Sequence, residues 1–515
     1  MKKLLFILLL LFLLLSMLSI GAEGKTFSLQ ECLAIALKNN IALGIKVVQV
    51  ERQEGLLDQA REKFLPALAF QFNKAKTNSP SYSWIEAEET ISAESQQISG
   101  QLVQALWLGG SFSLSVDASR YDSNQRFQTI NPRYEGTVMF KLVQPLLRDM
   151  GDRLSRKNII IASHNRNISV NELKTALLET VYRVEELYWN LVFAERNLEV
   201  KKKSLQLAEN LMTKNRKMVE LGLLAEIEIL TAETEVASRQ ADILAAQALL
   251  LNTSDELLSL MNEKNEFIIR TTDEPRTDVL AIDVDESLSL ALTNRPDLLN
   301  AGINLRSKDL EMTYARNQLL PALNLNMQYW SPGISGNRLR YRDDNPLTGD
   351  VIAIIPGASG DALEEALNLK YRNWAVYLSL DVPLNSIFYH GAYTAARMDL
   401  REATLRRLDL ERQIRLEVLS VIRDINSAFQ RIQAYRTTRE FAEKRTAAEE
   451  KRLAAGMSTS YIVLQYQRDY AQALGNELQA LCEYNQALAR LERVRGTGLE
   501  ARQISFAAEA MVSSR

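Results

Sequence analysis

The sequence predicts a mixed fold: a membrane β-barrel joined to a long α-helical coiled coil, internally duplicated and shared between several copies. Three observations predict it. An export-type N-terminus is followed by no second apolar run long enough to span a bilayer as a helix. Short segments alternate apolar and polar residues with period two. After them come helical patterns of unusual length, with thin apolar stripes between charged faces.

Composition narrows the classes first. The 515 residues are too many for one ordinary soluble domain, and 21 glycines and 11 prolines are too few for a linker-rich or collagenous chain. A net charge of −3 gives no footprint for nucleic acid. The two histidines and two cysteines form no zinc spacing. No phosphate-binding loop, dinucleotide fingerprint or nucleophile elbow is present. Gly333-Ile-Ser-Gly336 and Gly357-Ala-Ser-Gly360 read as loop glycines. No enzyme, cofactor or metal is expected.

Met1-Lys2-Lys3, the leucine run from Leu4 to Leu15 and the small residues Ser19, Gly21, Ala22 and Gly24 read as a secretory signal over 1–24. An uncleaved anchor is the competing reading. Two small-x-small sites, Ser19-Ile-Gly21 and Ala22-Glu-Gly24, leave the cleavage point open.

The rest of the chain repeats once. Ala36-Leu-Lys-Asn39 aligns with Ala291-Leu-Thr-Asn294, and Leu65-Pro-Ala-Leu68 with Leu320-Pro-Ala-Leu323, at one common offset. Gln144-Pro-Leu146 aligns with Val382-Pro-Leu384, and Leu221-Gly222 with Ala455-Gly456. A period of roughly 240 residues is far too long for a solenoid and means a duplicated unit. The first repeat spans 25–262, a connector 263–284, the second repeat 285–495 and a tail 496–515. Each repeat reads as helix, strands, long helix, tip and returning helix. Ser28 with Glu31 marks a capping box at the first helix start.

Membrane strands are expected at 66–76, 134–144, 321–330 and 372–384. Leu68, Phe70 and Phe72 alternate with Ala69, Gln71 and Asn73; Trp374, Val376, Leu378 and Leu380 alternate with Ala375, Tyr377, Ser379 and Asp381. A half-buried strand in a soluble sheet alternates identically. Trp84, Trp107, Trp330 and Trp374 cluster in these regions, as an interfacial girdle would. Residues 73–97 and 331–369 read as polar cell-surface loops. An extra hairpin, 101–107 with 111–120, has no partner in the second repeat.

The helical hairpins occupy 150–262 and 390–495. Each long helix would measure roughly 95 to 100 Å at the α-helical rise. Leu230, Ala237, Ala241, Leu244, Ala248, Leu251 and Leu258 form a heptad-like seam. Such thin seams need partner helices, and four strands need partner strands, because open edges are not tolerated in lipid. Both demand an oligomer.

The signal, the paired Leu-Pro-Ala-Leu strand entries, the Gln144-Pro-Leu146 strand exit and its counterpart Val382-Pro-Leu384, and the tip glycines Gly222 and Gly456 together resemble the TolC-like outer-membrane efflux family over about 26–497. The resemblance implies a homotrimer sharing one 12-stranded barrel in outer-membrane lipid of a Gram-negative-type envelope. A coiled-coil α-helical barrel would continue it into the periplasm. If the extra hairpin joined the sheet, three copies would supply 18 strands instead. The resemblance also implies a passive conduit docked to a periplasmic adaptor and an inner-membrane pump of RND or ABC type. A non-conducting structural protein of the envelope is the alternative reading.

The hairpin tips are the implied aperture and adaptor-docking site: Gly222, Glu226, Glu228, Glu233, Gly456, Ser458, Tyr461 and Gln465. Gln465 stands where many members carry aspartate. The acidic residues sit on the first tip instead, where inward glutamates would favour cations; N-terminal helix charges give the same pattern. Cys482 reads as a small buried residue, with a Cys32–Cys482 disulfide an open option, and His164 and His390 as polar junction residues.

Overall fold

The computed structural model describes residues 25–83, 89–222, 224–263, 267–345, 347, 350–388 and 390–504. The expected signal at 1–24, Trp84 and the end of the tail lie outside the described residues.

In chain order the elements begin with β1 (Lys25–Phe27), α1 (Leu29–Asn39) and α2 (Ile41–Glu62). Strands β2 (Ala67–Pro80), β3 (Thr90–Ala105), β4 (Ser111–Ser123) and β5 (Ile130–Pro145) follow. The first hairpin is α3 (Lys157–Glu220) and α4 (Ile227–Met261), then β6 (Ile269–Thr271). The second half holds α5 (Val284–Asn294), α6 (Pro296–Asn317), β7 (Ala322–Tyr341), β8 (Val351–Ile355), α7 (Ser359–Leu367), β9 (Asn373–Asp381), α8 (Gly391–Ala454) and α9 (Ser460–Arg495). Among the described residues no single helix is long and apolar enough to cross a membrane.

The chain divides into two units. One holds residues 1–51, 167–302 and 406–515 and is mostly helical. Its start is capped as the sequence requires: Ser28 and Glu31 close the capping box on α1. One core joins Cys32, Leu33 and Ala36 of α1 to Val184, Leu187, Leu191 and Leu198 of α3 and Leu250, Leu257 and Met261 of α4. A second joins Ile414, Val418, Val421 and Ile425 of α8 to Ala480, Tyr484 and Leu491 of α9. Fully burying one such leucine contributes roughly 1.5–3 kcal/mol. Two buried tyrosines tie down the connector. Tyr188 donates to Asp273 Oδ2 at 2.8 Å, and Tyr484 donates to the Asp278 carbonyl at 2.8 Å. Cys32 and Cys482 are both free and buried, so no disulfide joins them.

In the single chain the expected α4 seam is uncovered. Leu230, Ala237, Ala241, Leu244, Ala248 and Leu251 are exposed, Leu244 to 67%; of that stripe only Leu258 is buried. The chain instead buries Ala232, Val236, Arg239, Ala246, Leu250, Thr253 and Leu257, the opposite stripe of the same helix. Alanine and leucine at helical spacing on two faces make the stripes indistinguishable by period alone.

The other unit holds residues 52–166 and 303–405 and carries the large sheet. Its order is β2-β3-β4-β5-β7, with β9 against the first part of β7 and β8 against the last. All neighbours are antiparallel. The extra hairpin is therefore part of the sheet, between β2 and β5. Gly109 makes its tight turn at φ +95°, where a Cβ would sit 2.2 Å from the Asp149 carbonyl oxygen. The expected loops are also shorter than predicted. Strands β2 and β3 pair out to Pro80 and Thr90, and residues 331–369 hold the end of β7, β8 and α7.

The pairing register gives the sheet two unlike faces. Leu68, Leu102, Leu114, Phe140, Tyr329 and Trp374 lie in one cross-strand row. Gln71, Ser99, Asp117 and Thr137 lie in a row on the opposite face. Phe70 is 81% exposed and Trp374 72%, so the apolar face is uncovered at both edge strands. The tryptophans do not form one girdle. Trp374 shares the apolar face, whereas Trp330, paired with Met139, falls on the other.

Candidate functional site

The tips of the two helical hairpins belong to the helical unit, and each long helix ends there on glycine. Gly222 and Gly456 both have φ +72°. No atom lies within 4 Å of a Cβ built on either, so glycine serves the backbone angle and not a space requirement. At the second tip the Gly456 N–H donates to the Leu453 carbonyl and the Met457 N–H to the Arg452 carbonyl, closing a Schellman motif.

The tips meet through polar contacts above a small core of Ala208, Leu211, Ala232, Val236, Val463 and Leu464. Asn215 of α3 donates to the Glu228 carbonyl at 3.3 Å and accepts from the Ser460 hydroxyl at 3.1 Å. One helical level deeper, Arg239 is buried. It donates to Glu235 Oε1 at 3.0 Å, the Ser204 carbonyl at 2.6 Å and the Leu464 carbonyl at 3.0 Å. Arg468 of α9 donates to both oxygens of Glu235, Nε at 3.2 Å. Burial alone would raise the Glu235 carboxyl, but the hydrogen bonds and charges of Arg468 and Arg239 outweigh it and hold it below the ordinary glutamate range.

The predicted residues fall in different surroundings. Glu226, Gln465 and Tyr461 are exposed, Tyr461 to 62%. Glu233 is paired with Arg216 at 3.1 Å, so its charge is partly spent. Glu228 is half-buried, and its Oε2 is buried without a hydrogen-bond partner. Ser458 donates to Glu449 Oε1 at 2.5 Å and helps to lock the second tip. Sequence reasoning missed Asn215, Glu235, Arg239, Ser460 and Arg468. The available signal was Glu235 and Arg239, spaced i and i+4 on an otherwise alanine- and leucine-rich stripe.

Residues 287–497 match the family model described as outer membrane efflux protein. Against the curated proteins the sequence finds no match. Solved structures share the fold. The outer-membrane channel OprN is 16% identical with a TM-score of 0.66, covering 91% of this chain and 90% of that one. The Campylobacter jejuni CmeC outer membrane channel is 14% identical with a TM-score of 0.62, over 94% and 89%. The open state of the Neisseria gonorrhoeae MtrE outer membrane channel is 18% identical with a TM-score of 0.61, over 92% and 89%.

The second half of the chain thus matches a family of outer membrane efflux proteins, and the fold is shared with solved outer-membrane channels.

Proposed function

We propose that three copies of this duplicated chain assemble into a passive export conduit through the outer membrane, with hairpin tips that dock a periplasmic adaptor and, through it, an inner-membrane pump of RND or ABC type. The observation that carries the assembly is the open sheet. Strand β2 is one edge and β9, with the short β8 beyond it, the other; β2 and β9 run in opposite senses, so β9 of one copy can pair antiparallel with β2 of the next. Such edges do not persist in lipid. Six long strands from each of three copies give an 18-stranded barrel in place of the 12 strands the resemblance implies. A barrel of ~18 strands leaves an aqueous channel.

The exposed α4 stripe supports the same reading, since Leu230, Leu244 and Leu251 face away from the chain's own cores. The parallel order of the halves supports the duplication: α3 and α8 have 64 residues each, and α4 and α9 have 35 and 36. At the aperture, exposed Glu226 is the acidic group best placed to favour cations, because Glu233 is paired.

The test is in-cell crosslinking from a photoreactive residue at exposed Met457, which leaves the Ser458–Glu449 bond intact. Capture of a periplasmic adaptor beside self-oligomers is the expected result. Self-oligomers alone, in cells that export normally, would remove docking at this tip.

A further inference from the structure

Helix α7 rests on the apolar face of the sheet. Beneath it Gly136 and Gly333 are cross-strand partners. A Cβ on Gly333 would lie 2.0 Å from the Ala362 carbonyl oxygen, and one on Gly136 2.7 Å from the same atom. The two glycines let the helix touch the strands, and Ala362 and Ala366 are buried against them.

Its height follows from the register. On the apolar face of β7 the outward positions run from Leu323 to Gly333. Ten residues at ~3.3 Å each, tilted by ~40°, rise about 25 Å, the height of a lipid-facing band. Directly beyond the row of Phe72, Ile98, Ala118, Gly136 and Gly333, the same face turns polar at Lys74, Gln96, Arg120, Tyr134 and Ser335. Helix α7 therefore lies on the last row of the band.

The helix is oriented to match. Asp361 accepts from the Ser335 hydroxyl at 3.4 Å and Glu365 from the Ile334 N–H at 3.5 Å, so its acidic flank faces the polar end of the strands. Helical spacing puts Leu363 and Leu367 on the other flank, toward the apolar rows, and Leu367 is 56% exposed.

We propose that α7 is an interfacial helix: it lies in the plane of the outer leaflet, with Leu363 and Leu367 in the acyl boundary, Asp361 and Glu365 at the headgroups, and Glu364 pointing away from the sheet at headgroup level. Its partner is the lipid surface, and it collars the barrel where the membrane ends. The proposal rests on the outer-membrane reading.

Spin labels on Leu367→Cys and Glu364→Cys test it in the full chain, reconstituted in phosphatidylcholine–phosphatidylglycerol vesicles. Cys32 and Cys482 are buried and do not compete for label. Phe70→Cys serves as the lipid reference and Gln71→Cys as the opposite-face reference. The label at 367 should be severalfold more accessible to oxygen than to a nickel chelate, short of the value at 70, and the label at 364 should favour the chelate. Labels at both 367 and 364 that match the label at 71 would overturn the proposal and place α7 in water. If the label at 70 itself fails to enter lipid, the membrane assignment of this face fails first.

Discussion

Glu235 on α4 and Arg468 on α9 join the two helical hairpins through one carboxylate. Arg468 grips both of its oxygens, and Arg239 takes a second bond on Oε1 at 3.0 Å. Both Glu235 and Arg239 are buried, whereas Arg468 reaches in from an exposed position. The carboxylate is the hub, and its loss strands two guanidinium groups.

Glu235→Gln keeps the shape and removes the charge. Uncompensated Arg239 should cost about 3–5 kcal/mol of local stability. Limited proteolysis should then cut near 220–233 and 454–467 well before it cuts the parent. Arg468→Gln should cost less, about 1–3 kcal/mol, because its charge is solvated once released. Tips as resistant in Glu235→Gln as in the parent would contradict the hub role.

Acid should act on the same link. Glu235 titrates below its ordinary range when folded, so the folded state binds fewer protons than the unfolded chain. The contribution is complete above the unfolded value and is lost as pH falls through the folded one. His164, whose Nδ1 lies 2.7 Å from the Ser307 hydroxyl, is pushed below 6.5 by burial and by Arg306. Stability from it is complete above that value and declines as pH drops below it. Thermal unfolding against pH should show both windows. Glu235→Gln should erase the more acidic one and His164→Gln the other.

Gly222→Ala and Gly456→Ala should each cost about 1–2 kcal/mol, the strain of a left-handed backbone with a Cβ. Nothing crowds either site, so asparagine should recover much of the loss. Melting temperatures of the three variants at one site are the check; an alanine as stable as glycine would remove the backbone argument.

The two faces of the sheet should respond differently to charge. Phe70→Lys puts an ammonium on the proposed lipid side, one row inside the end of the apolar band, and should cost about 1–2 kcal/mol, between the midplane and interface values. Gln71→Lys, its neighbour on the polar face, should be tolerated. Urea midpoints in bilayers measure both, and equal losses would mean the faces are assigned wrongly.

On the proposed aperture reading, Glu226→Gln should lower cation preference in bilayer recordings, while Glu233→Gln should change it less because Arg216 already offsets that charge. The reverse order would exchange their roles.

Much of this architecture was legible in the residues. The long helices end where their period stops and glycine follows: α3 closes at Glu220 before Gly222, and α8 at Ala454 before Gly456. The strand cores were legible because Leu68, Phe70 and Phe72 keep period two. The strand ends were not. Lys74, Lys76 and Glu94 rise beyond the apolar band, where strands carry polar residues on both faces and read as loop. Helix α7 was hidden for a related reason, since nine residues with three acidic positions and four small ones give little period to read. The hub was illegible because burial of Glu235 depends on an arginine 233 positions away.

Planar-bilayer recording of the purified oligomer tests the central claim most directly, with the parent and Glu235→Gln side by side. The proposed conduit should give discrete conductance steps in the parent, and their size should change once the hub that joins the two tips is cut. A folded, membrane-inserted oligomer that stays silent in both forms would contradict the claim that this chain is a channel.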